Sequence, residues 1–385
     1  MTLDHQARLE RLLARHRDAV LSEGPNGATA LHRKDQILVA IRHADRAHEV
    51  VGRYTERRDD LQEVGVTRLH LRPDAGVDPR ELISQLRTHN TGPMAVSLNH
   101  LMHGEPEWYG GPYGVPQACA PMPKPVAVDT SARRVFAGVV DTGIVSHPWF
   151  ADSDWFAQVS PDQLDPIPAE VDYALETQTG HGTFVAGTLL RQAPTAFLMI
   201  ERALGDDGIG DELEVLRSLA RLRDRMRATG ETLDVLNLSL GGYTFDDEPS
   251  PLVAEALNRF GKQTVIVVAA GNSGSNRPFW PATLKSCVAV GALEPDGTRR
   301  AEFSNHGWWV DACTVGANVC GPFINDGHEF FGFAEWSGTS FAAPRVAGAI
   351  AGFAASKHLS AIEAAEALLD PASRQCHPDF GVVVE

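Results

Sequence analysis

The chain has 385 residues, of which 43% are hydrophobic and 22% are charged. This composition is typical of an ordinary globular protein, and the length is sufficient for one large domain and a smaller one. The formal net charge of −16 argues against nucleic acid or an anionic membrane surface as a partner, because both would repel so acidic a protein.

The amino-terminal segment lacks the apolar core of a signal peptide, and no later segment has the length and hydrophobicity of a membrane span. We therefore expect a cytoplasmic protein. The five cysteines are odd in number and include no C-x-x-C pair, so we expect reduced thiols rather than a disulfide framework or a zinc site.

The first 104 residues predict two structural units. Leucines recur at helical spacing between arginines in residues 1–24, which predicts an amphipathic helix that docks on its own chain or on a partner. Residues 31–104 alternate between strand and helix patterns and predict a small βαβαβ module. Its expected strands are 36–41, 66–71 and 94–98, and its expected helices are 44–54 and 79–88.

Residues 105–131 are rich in proline and glycine, and we expect a linker or an extended arm there. The second domain, 132–385, begins with a buried strand at 134–140, after which apolar strands alternate with helices. This alternation predicts a three-layer α/β domain with a doubly wound, mostly parallel sheet. Loops that follow parallel strands meet at one edge of the sheet, where such domains bind ligands.

Four polar side chains in the second domain occupy glycine-rich strand ends or helix starts. Asp141 follows a buried strand, His181 lies between two glycines, and Asn272 lies in Gly-Asn-Ser-Gly. Ser340 precedes a helix of small residues, with Pro344 expected in its first turn. Each residue alone is explained by an ordinary role, as a turn residue, a surface histidine or a helix cap. Together, and in this order, they supply an acid, a base, an amide and a nucleophile.

The four motifs resemble those of the subtilisin-like serine proteases, the subtilases of peptidase family S8. The matching stretches are VDTG at 140–143, GHGTFVAG at 180–187, AGNSG at 270–274 and GTSFAAP at 338–344. The resemblance extends from about residue 132 to 385. The related sedolisins are disfavoured, because they would carry Glu in place of His181 and Asp in place of Asn272.

This resemblance implies a subtilisin-like fold and a serine endopeptidase that forms an acyl-enzyme on Ser340. His181 would be the general base, since the pKa of an unperturbed histidine lies near neutrality, and Asp141 would orient it. The side chain of Asn272 and the backbone N–H of Ser340 would bind the oxyanion. No cofactor is required for this chemistry.

The resemblance also implies a cleft in which a peptide or protein substrate binds as an extended strand between two backbone edges. The edges are expected at Ser239, Leu240 and Gly241 and at Gly208, Ile209 and Gly210. Phe279 stands where many relatives have glycine near the floor of the primary pocket. We hypothesise that Phe279 makes this pocket shallow and favours small or unusual residues at the cleaved bond.

Many subtilases carry an amino-terminal prodomain that assists folding and blocks the cleft, and residues 1–104 resemble it in position and pattern. They would be removed during maturation, or they would stay as a regulatory, self-inhibitory or partner-binding domain. Asp206, Asp207 and Asp211 could hold a structural calcium ion, although turn and capping roles explain them without a metal.

Two other functions are considered beside hydrolysis. A peptide ligase or macrocyclase would use the same acyl-enzyme and resolve it with an amine instead of water. The sequence shows neither an evident lid nor a thiol in place of Ser340, which would favour this function. A catalytically silent binding protein would recognise its partner through the amino-terminal module. The intact set of four residues speaks against that function.

Overall fold

The computed structural model describes residues 3–24, 27, 29–90, 92–104, 115–126, 132–165 and 178–385, with side chains from residue 9 onward. Of the predicted linker, 105–114 and 127–131 lie outside the described residues. None of the helices in the described part of the chain is both long and apolar enough to cross a membrane.

The amino-terminal region forms an antiparallel sheet, with its second and third helices packed into one hydrophobic core and its first helix packed into another. Its elements are α1 (Leu3–Arg15), β1 (Ala19–Glu23), β2 (Thr29–Ala40), α2 (Ala44–Val51), β3 (Thr55–Leu61), β4 (Val66–Leu71), α3 (Pro79–Arg87) and β5 (Val96–His103). The strand order is β3-β4-β2-β5, and β1 pairs with the first half of β2. Ile37 and Val39 pack into a core with α2 and α3, whereas Leu38 joins the core of the second domain. Successive side chains of β2 therefore point into two different cores, and the strand packs on both units.

Two sequence predictions for this region were wrong in part. The predicted helix over 1–24 ends at Arg15, and Ala19–Glu23 pairs with β2 instead, because these apolar residues satisfy strand as well as helix periodicity. The predicted βαβαβ order was also incomplete, because it omitted β1 and the charged strand β3. This charged strand lies at the edge of the sheet, where Arg68 and His70 of β4 pair with Asp59, so it shows no apolar alternation.

The second domain has the predicted three-layer, doubly wound architecture. The predicted linker before it contains the short strand β6 (Gln117–Ala118). The elements of the domain are β7 (Phe136–Asp141), α4 (His181–Gln192), β8 (Phe197–Arg202), β9 (Ile209–Asp211), α5 (Glu212–Thr229), β10 (Val235–Leu238), α6 (Pro251–Asn258), β11 (Val265–Ala269), β12 (Cys287–Leu293), β13 (Ala312–Val315), β14 (Val319–Asn325), β15 (Phe331–Trp336), α7 (Thr339–Lys357), α8 (Ala361–Leu368), β16 (Cys376–His377) and β17 (Gly381–Val383). The main sheet has the order β16-β17-β13-β12-β11-β10-β7-β8. All its neighbouring pairs are parallel except β16 with β17.

Helices pack on the main sheet, and its strand order reverses at one point. α4 and α7 pack together against the central strands, and α5 packs against β7 and β8 with α6 beside it. The chain leaves β7 for β8 on one side and continues through β10 on the other, so the strand order reverses between β7 and β10. This reversal is the point at which open α/β sheets bind ligands.

The amino-terminal module lies directly on the second domain. β5 continues the module's sheet into β9, with Met102 opposite Gly210 and His103 opposite Ile209. Part of the predicted linker forms an arm on the second domain, because Ala118 in β6 pairs with Ala334 in β15. The sequence left open whether α1 docks on its own chain or on a partner. The helix belongs to a module that docks on its own chain.

Candidate active site

A buried aspartate and a buried histidine meet at the strand-order reversal. Asp141 is the last residue of β7, and its Oδ1 accepts hydrogen bonds from His181 Nδ1 at 2.6 Å and from the Thr142 backbone N–H at 2.8 Å. Because Nδ1 donates a hydrogen bond to the carboxylate, the neutral imidazole carries its lone pair on Nε2. This Nε2 is buried and has no hydrogen-bond partner among the described residues.

The glycines around His181 are required by close backbone contacts. A Cβ atom on Gly182 would lie 2.0 Å from the carbonyl oxygen of Gly143, and Gly180 has a φ of +84° in the left-handed region. The ring of His181 packs against Trp336 and Phe341, with centroid distances of 5.6 and 5.3 Å. The imidazole ring is therefore held by the backbone on one side and by aromatic rings on the other.

Ser340 is the second residue of α7, adjacent to the Phe341 that contacts His181. Its Oγ lies 3.4 Å from the carbonyl oxygen of Ser239, the residue that follows β10. Pro344 lies inside the helix as its sixth residue, one turn beyond the predicted position. Since proline has no N–H to donate to the carbonyl four residues earlier, the Ser340 carbonyl accepts a hydrogen bond from Ser239 Oγ at 2.8 Å. The main chain of Ser340 is thus anchored to the sheet.

Asn272 follows β11 and contacts the residue before Ser340. Its Oδ1 accepts hydrogen bonds from the backbone N–H and the hydroxyl of Thr339, at 2.8 and 2.9 Å. The same hydroxyl accepts from the Gly271 N–H at 3.0 Å. Because these contacts fix the amide oxygen, the donor group Nδ2 lies at the other end of the planar amide group.

One buried amide that sequence reasoning missed holds this loop. Asn305 Oδ1 accepts hydrogen bonds from the backbone N–H groups of Ser273 and Ser275, and its Nδ2 donates to the Ala270 carbonyl at 2.8 Å. The loop that carries Asn272 is therefore tied on both sides. In sequence, an asparagine two residues before a glycine is typical of a turn, and no local pattern marks its contacts with residues 30 to 35 positions away.

The two predicted backbone edges lie on either side of the chain's own residues 101–104. His103 exchanges two backbone hydrogen bonds with Gly241, at 2.8 and 3.1 Å, and the N–H of Gly104 donates to the Gly208 carbonyl at 3.1 Å. A Cβ atom on Gly104 would lie 3.3 Å from His181 Cε1. Burial lowers the pKa of the His103 ring to about 4, so this residue occupies the cleft uncharged at neutral pH.

Phe279 is buried between the two loops that would line the primary pocket. A Cβ atom on Gly241 would lie 2.3 Å from its ring, and one on Gly271 would lie 3.1 Å from it. The rings of Tyr243 and His103 lie 5.2 and 5.9 Å away. The aromatic ring therefore fills the space between these backbone walls.

The three aspartates considered for calcium have protein partners. Asp206 pairs with Arg15, Asp207 with His16, and Asp211 with Arg33, at 2.9, 2.7 and 2.8 Å. Asp211 also caps α5 by accepting from the Glu214 N–H. Burial works to raise the pKa of Asp207, but hydrogen bonds from His16 and Ile209 and the charge of Arg15 lower it. The sequence left calcium binding here open without support for it, and within the described ranges no group of three His, Cys, Asp or Glu side chains is arranged to hold a metal ion.

An aspartate–histidine pair beside a serine on a buried helix, at one edge of a parallel sheet, is the arrangement of a serine-type hydrolase. Residues 132–379 match the subtilase family, Peptidase_S8. The chain therefore belongs to the subtilase family of serine-type endopeptidases, and the predicted resemblance and fold are confirmed.

Individual relatives agree with this assignment. Subtilisin BL of Lederbergia lenta is 32% identical over 250 residues, which cover 62% of this chain and 82% of that protein. The thermophilic serine proteinase of Bacillus sp. (strain AK1) is 30% identical over 248 residues, and the alkaline protease of Shouchella clausii is 32% identical over 250. The chain covers 56% and 58% of the length of those two proteins.

Proposed function

We propose that the protein hydrolyses peptide bonds through an acyl-enzyme on Ser340. The observation that carries this proposal is the buried His181, whose Nδ1 is bonded to Asp141 at 2.6 Å while Nε2 has no partner among the described residues. In this tautomer Nε2 is the atom that can take a proton. The position of Ser340, beside Phe341 on the same buried helix, supports its role as the source of that proton.

In the proposed reaction, the Ser340 hydroxyl proton moves to His181 Nε2 as the Oγ–carbon bond forms. Asp141 stabilises the resulting imidazolium, and Asn272 Nδ2 and the Ser340 N–H donate to the tetrahedral oxyanion. Collapse breaks the carbon–nitrogen bond, and the leaving amine takes the proton from Nε2. A water molecule then attacks the acyl-enzyme by the same route and releases the acid.

Covalent labelling tests the acyl-enzyme directly. A fluorophosphonate should label the protein once, and peptide mapping should place the label on Ser340. The reaction should be run before and after limited proteolysis, because residues 101–104 lie in the cleft. Absence of label in both samples, or a label on another serine, would contradict the proposal.

We also propose that Phe279 restricts the residue accepted on the acyl side of the cleaved bond. Its burial between Gly241 and Gly271 supports a shallow pocket. Phe279→Gly should raise kcat/KM for a substrate with phenylalanine there relative to one with alanine. We expect a shift of at least about tenfold, since a single methylene already changes discrimination by roughly 10–200-fold.

Paired peptides that differ only at this residue, assayed with wild type, Phe279→Gly and Phe279→Leu, provide the measurement. Phe279→Leu is the control for lost aromaticity and should shift the ratio less than Phe279→Gly. A wild-type enzyme that already prefers phenylalanine over alanine would overturn the proposal.

The module is proposed to be self-inhibitory, because residues 101–104 use the same two edges that a substrate would need. Ion pairs of Arg15 and Arg33 with the loop around β9 support this docked position. The double variant Arg15→Ala/Arg33→Ala should weaken docking and shorten the lag before peptidase activity appears. Arg57→Ala is the matched control, since Arg57 pairs with Asp59 inside the module.

Mass spectrometry of the purified wild type beside Ser340→Ala completes this test. Self-processing should shorten only the wild type, whereas a full-length wild type with immediate activity would show that the module does not inhibit. A cytoplasmic location stays a prediction from the sequence.

A further inference from the structure

A second buried carboxylate, Asp165, lies close behind the Asp141–His181 pair. Its backbone N–H donates to the Ile144 carbonyl at 3.0 Å, and the Ile144 N–H donates to Gln163 at 3.1 Å. These bonds hold Asp165 alongside the loop that follows Asp141. Its side chain is 5% exposed, so the carboxyl group is part of the interior of the second domain.

One oxygen of Asp165 is hydrogen-bonded, directly or through Thr142, to the backbone on both sides of His181. Oδ2 accepts a hydrogen bond from the Gly180 N–H at 2.7 Å and another from the Thr142 hydroxyl at 3.0 Å. The Thr142 oxygen in turn accepts from the Gly182 N–H at 3.0 Å. The two amides that flank His181 are therefore bound, directly or through one hydroxyl, to the same carboxylate.

This arrangement replaces an ordinary helix cap. α4 begins at His181, and its cap residue Gly180 has no side chain to accept the free N–H groups of the first turn. Gly180 and Gly182 also lack the steric restriction that a Cβ atom would impose. Asp165 and Thr142 supply the missing acceptors, and a negative carboxylate is favourable at the start of a helix.

We propose that Asp165 is a positioning residue, which fixes the backbone of His181 so that its ring keeps its place between Asp141 and Ser340. The inference rests on the proposed role of His181 as general base. Asp165 does not contact residues 101–104 or either edge of the cleft in the described contacts, so its effect is on the reaction step and not on substrate binding.

The environment of Asp165 agrees with a role for its oxygen as an acceptor. Burial and the neighbouring charge of Asp141 raise the pKa of Asp165 to about 6, while the hydrogen bonds from Gly180 and Thr142 and the charge of Arg202 lower it. Oδ2 accepts in either protonation state. Oδ1 is buried and has no hydrogen-bond partner among the described residues, so an amide nitrogen can take its place without breaking a bond.

Asp165→Ala removes the acceptor and should lower kcat by about 10²-fold, the effect of roughly a 1 Å misplacement of a reacting group, with KM unchanged. Asp165→Asn keeps an acceptor oxygen and should recover most of that loss. Thr142→Val removes only the arm to Gly182 and should give a smaller loss of the same kind. Asp162→Ala is the matched control, because Asp162 is exposed on the same segment and bonds to Ser160.

Turnover should be measured well below each variant's unfolding temperature. It should be expressed per active site, as titrated with a fluorophosphonate. If Asp165→Ala turns over like the wild type, or Asp165→Asn is as slow as Asp165→Ala, the positioning role is wrong. If Asp165→Ala does not fold, Thr142→Val carries the test, and an unchanged kcat there would overturn the proposal. An inactive, unlabelled wild type would instead contradict the proposed function itself.

Discussion

Replacing Ser340 with alanine is expected to lower kcat by a factor on the order of 10⁶, as removal of the corresponding serine does in subtilisin. The physical reason is that the substitution removes the Oγ that lies beside the Ser239 carbonyl, next to the Phe341 that packs on His181. Alanine has no nucleophilic atom to replace it. The measurement is hydrolysis of a chromogenic peptide by protein purified free of host proteases.

Ser356→Ala provides the matched control for this prediction. Ser356 lies near the end of the same helix and its hydroxyl bonds only to the Phe353 carbonyl in the described contacts, so the variant should keep the wild-type kcat. Adding His181→Ala to Ser340→Ala should cost almost nothing further, because residues that act as a unit are not additive. Residual turnover by Ser340→Ala above about 1% of wild type would argue for a different nucleophile.

Replacing Asn272 is expected to lower kcat by about 10²–10³-fold, or about 3–4 kcal/mol of transition-state stabilisation. Asn272→Leu removes the Nδ2 donor together with the acceptor of the Thr339 N–H. Asn272→Asp keeps that acceptor and replaces the donor with a carboxylate oxygen, which also adds a negative charge near the oxyanion. Only the part of the loss that both variants share is therefore assigned to the missing donor. KM should change little, since the donor acts on the oxyanion and not on the bound substrate.

Asn276 provides the control for Asn272, because it is exposed four residues further along the same loop. Asn276→Leu and Asn276→Asp should leave kcat within about twofold of wild type. Thermal unfolding should be followed for every variant, since an unsatisfied buried N–H costs about 1–3 kcal/mol of stability. A wild-type kcat in both Asn272 variants would show that this side chain does not bind the oxyanion.

Local motifs allowed the sequence to predict the second domain well. The backbone around His181 requires glycine at 182, because a Cβ atom there would lie 2.0 Å from the carbonyl oxygen of Gly143. Gly143 is distant along the chain, but the required glycine stands next to His181 and is therefore visible in the sequence as part of a motif. The alternation of apolar strands with helices likewise predicts a parallel sheet, since only buried strands can be apolar on both faces.

Long-range contacts explain what the sequence did not predict. Asp165 and Asn305 act on residues that are distant along the chain, and neither lies in a pattern that differs from a turn. The strand β3 is stabilised by cross-strand charges, which give no apolar period. The Ser239 hydroxyl that binds the Ser340 carbonyl was not anticipated either, because the position of Pro344 within α7 emerges only from the helix itself.

The pairing of β5 with β9 also affects how a free peptide competes for the same backbone edge. A tethered strand is present at its binding edge at an effective concentration that reaches the millimolar range for short flexible connections. A free peptide must exceed that local concentration, or bind more tightly, before it displaces Met102 and His103 from Gly210 and Ile209. Cutting the chain between module and second domain abolishes this advantage, because the same strand then competes only at its bulk concentration. Dilution after such a cut would therefore open the cleft, although no contact within it has changed.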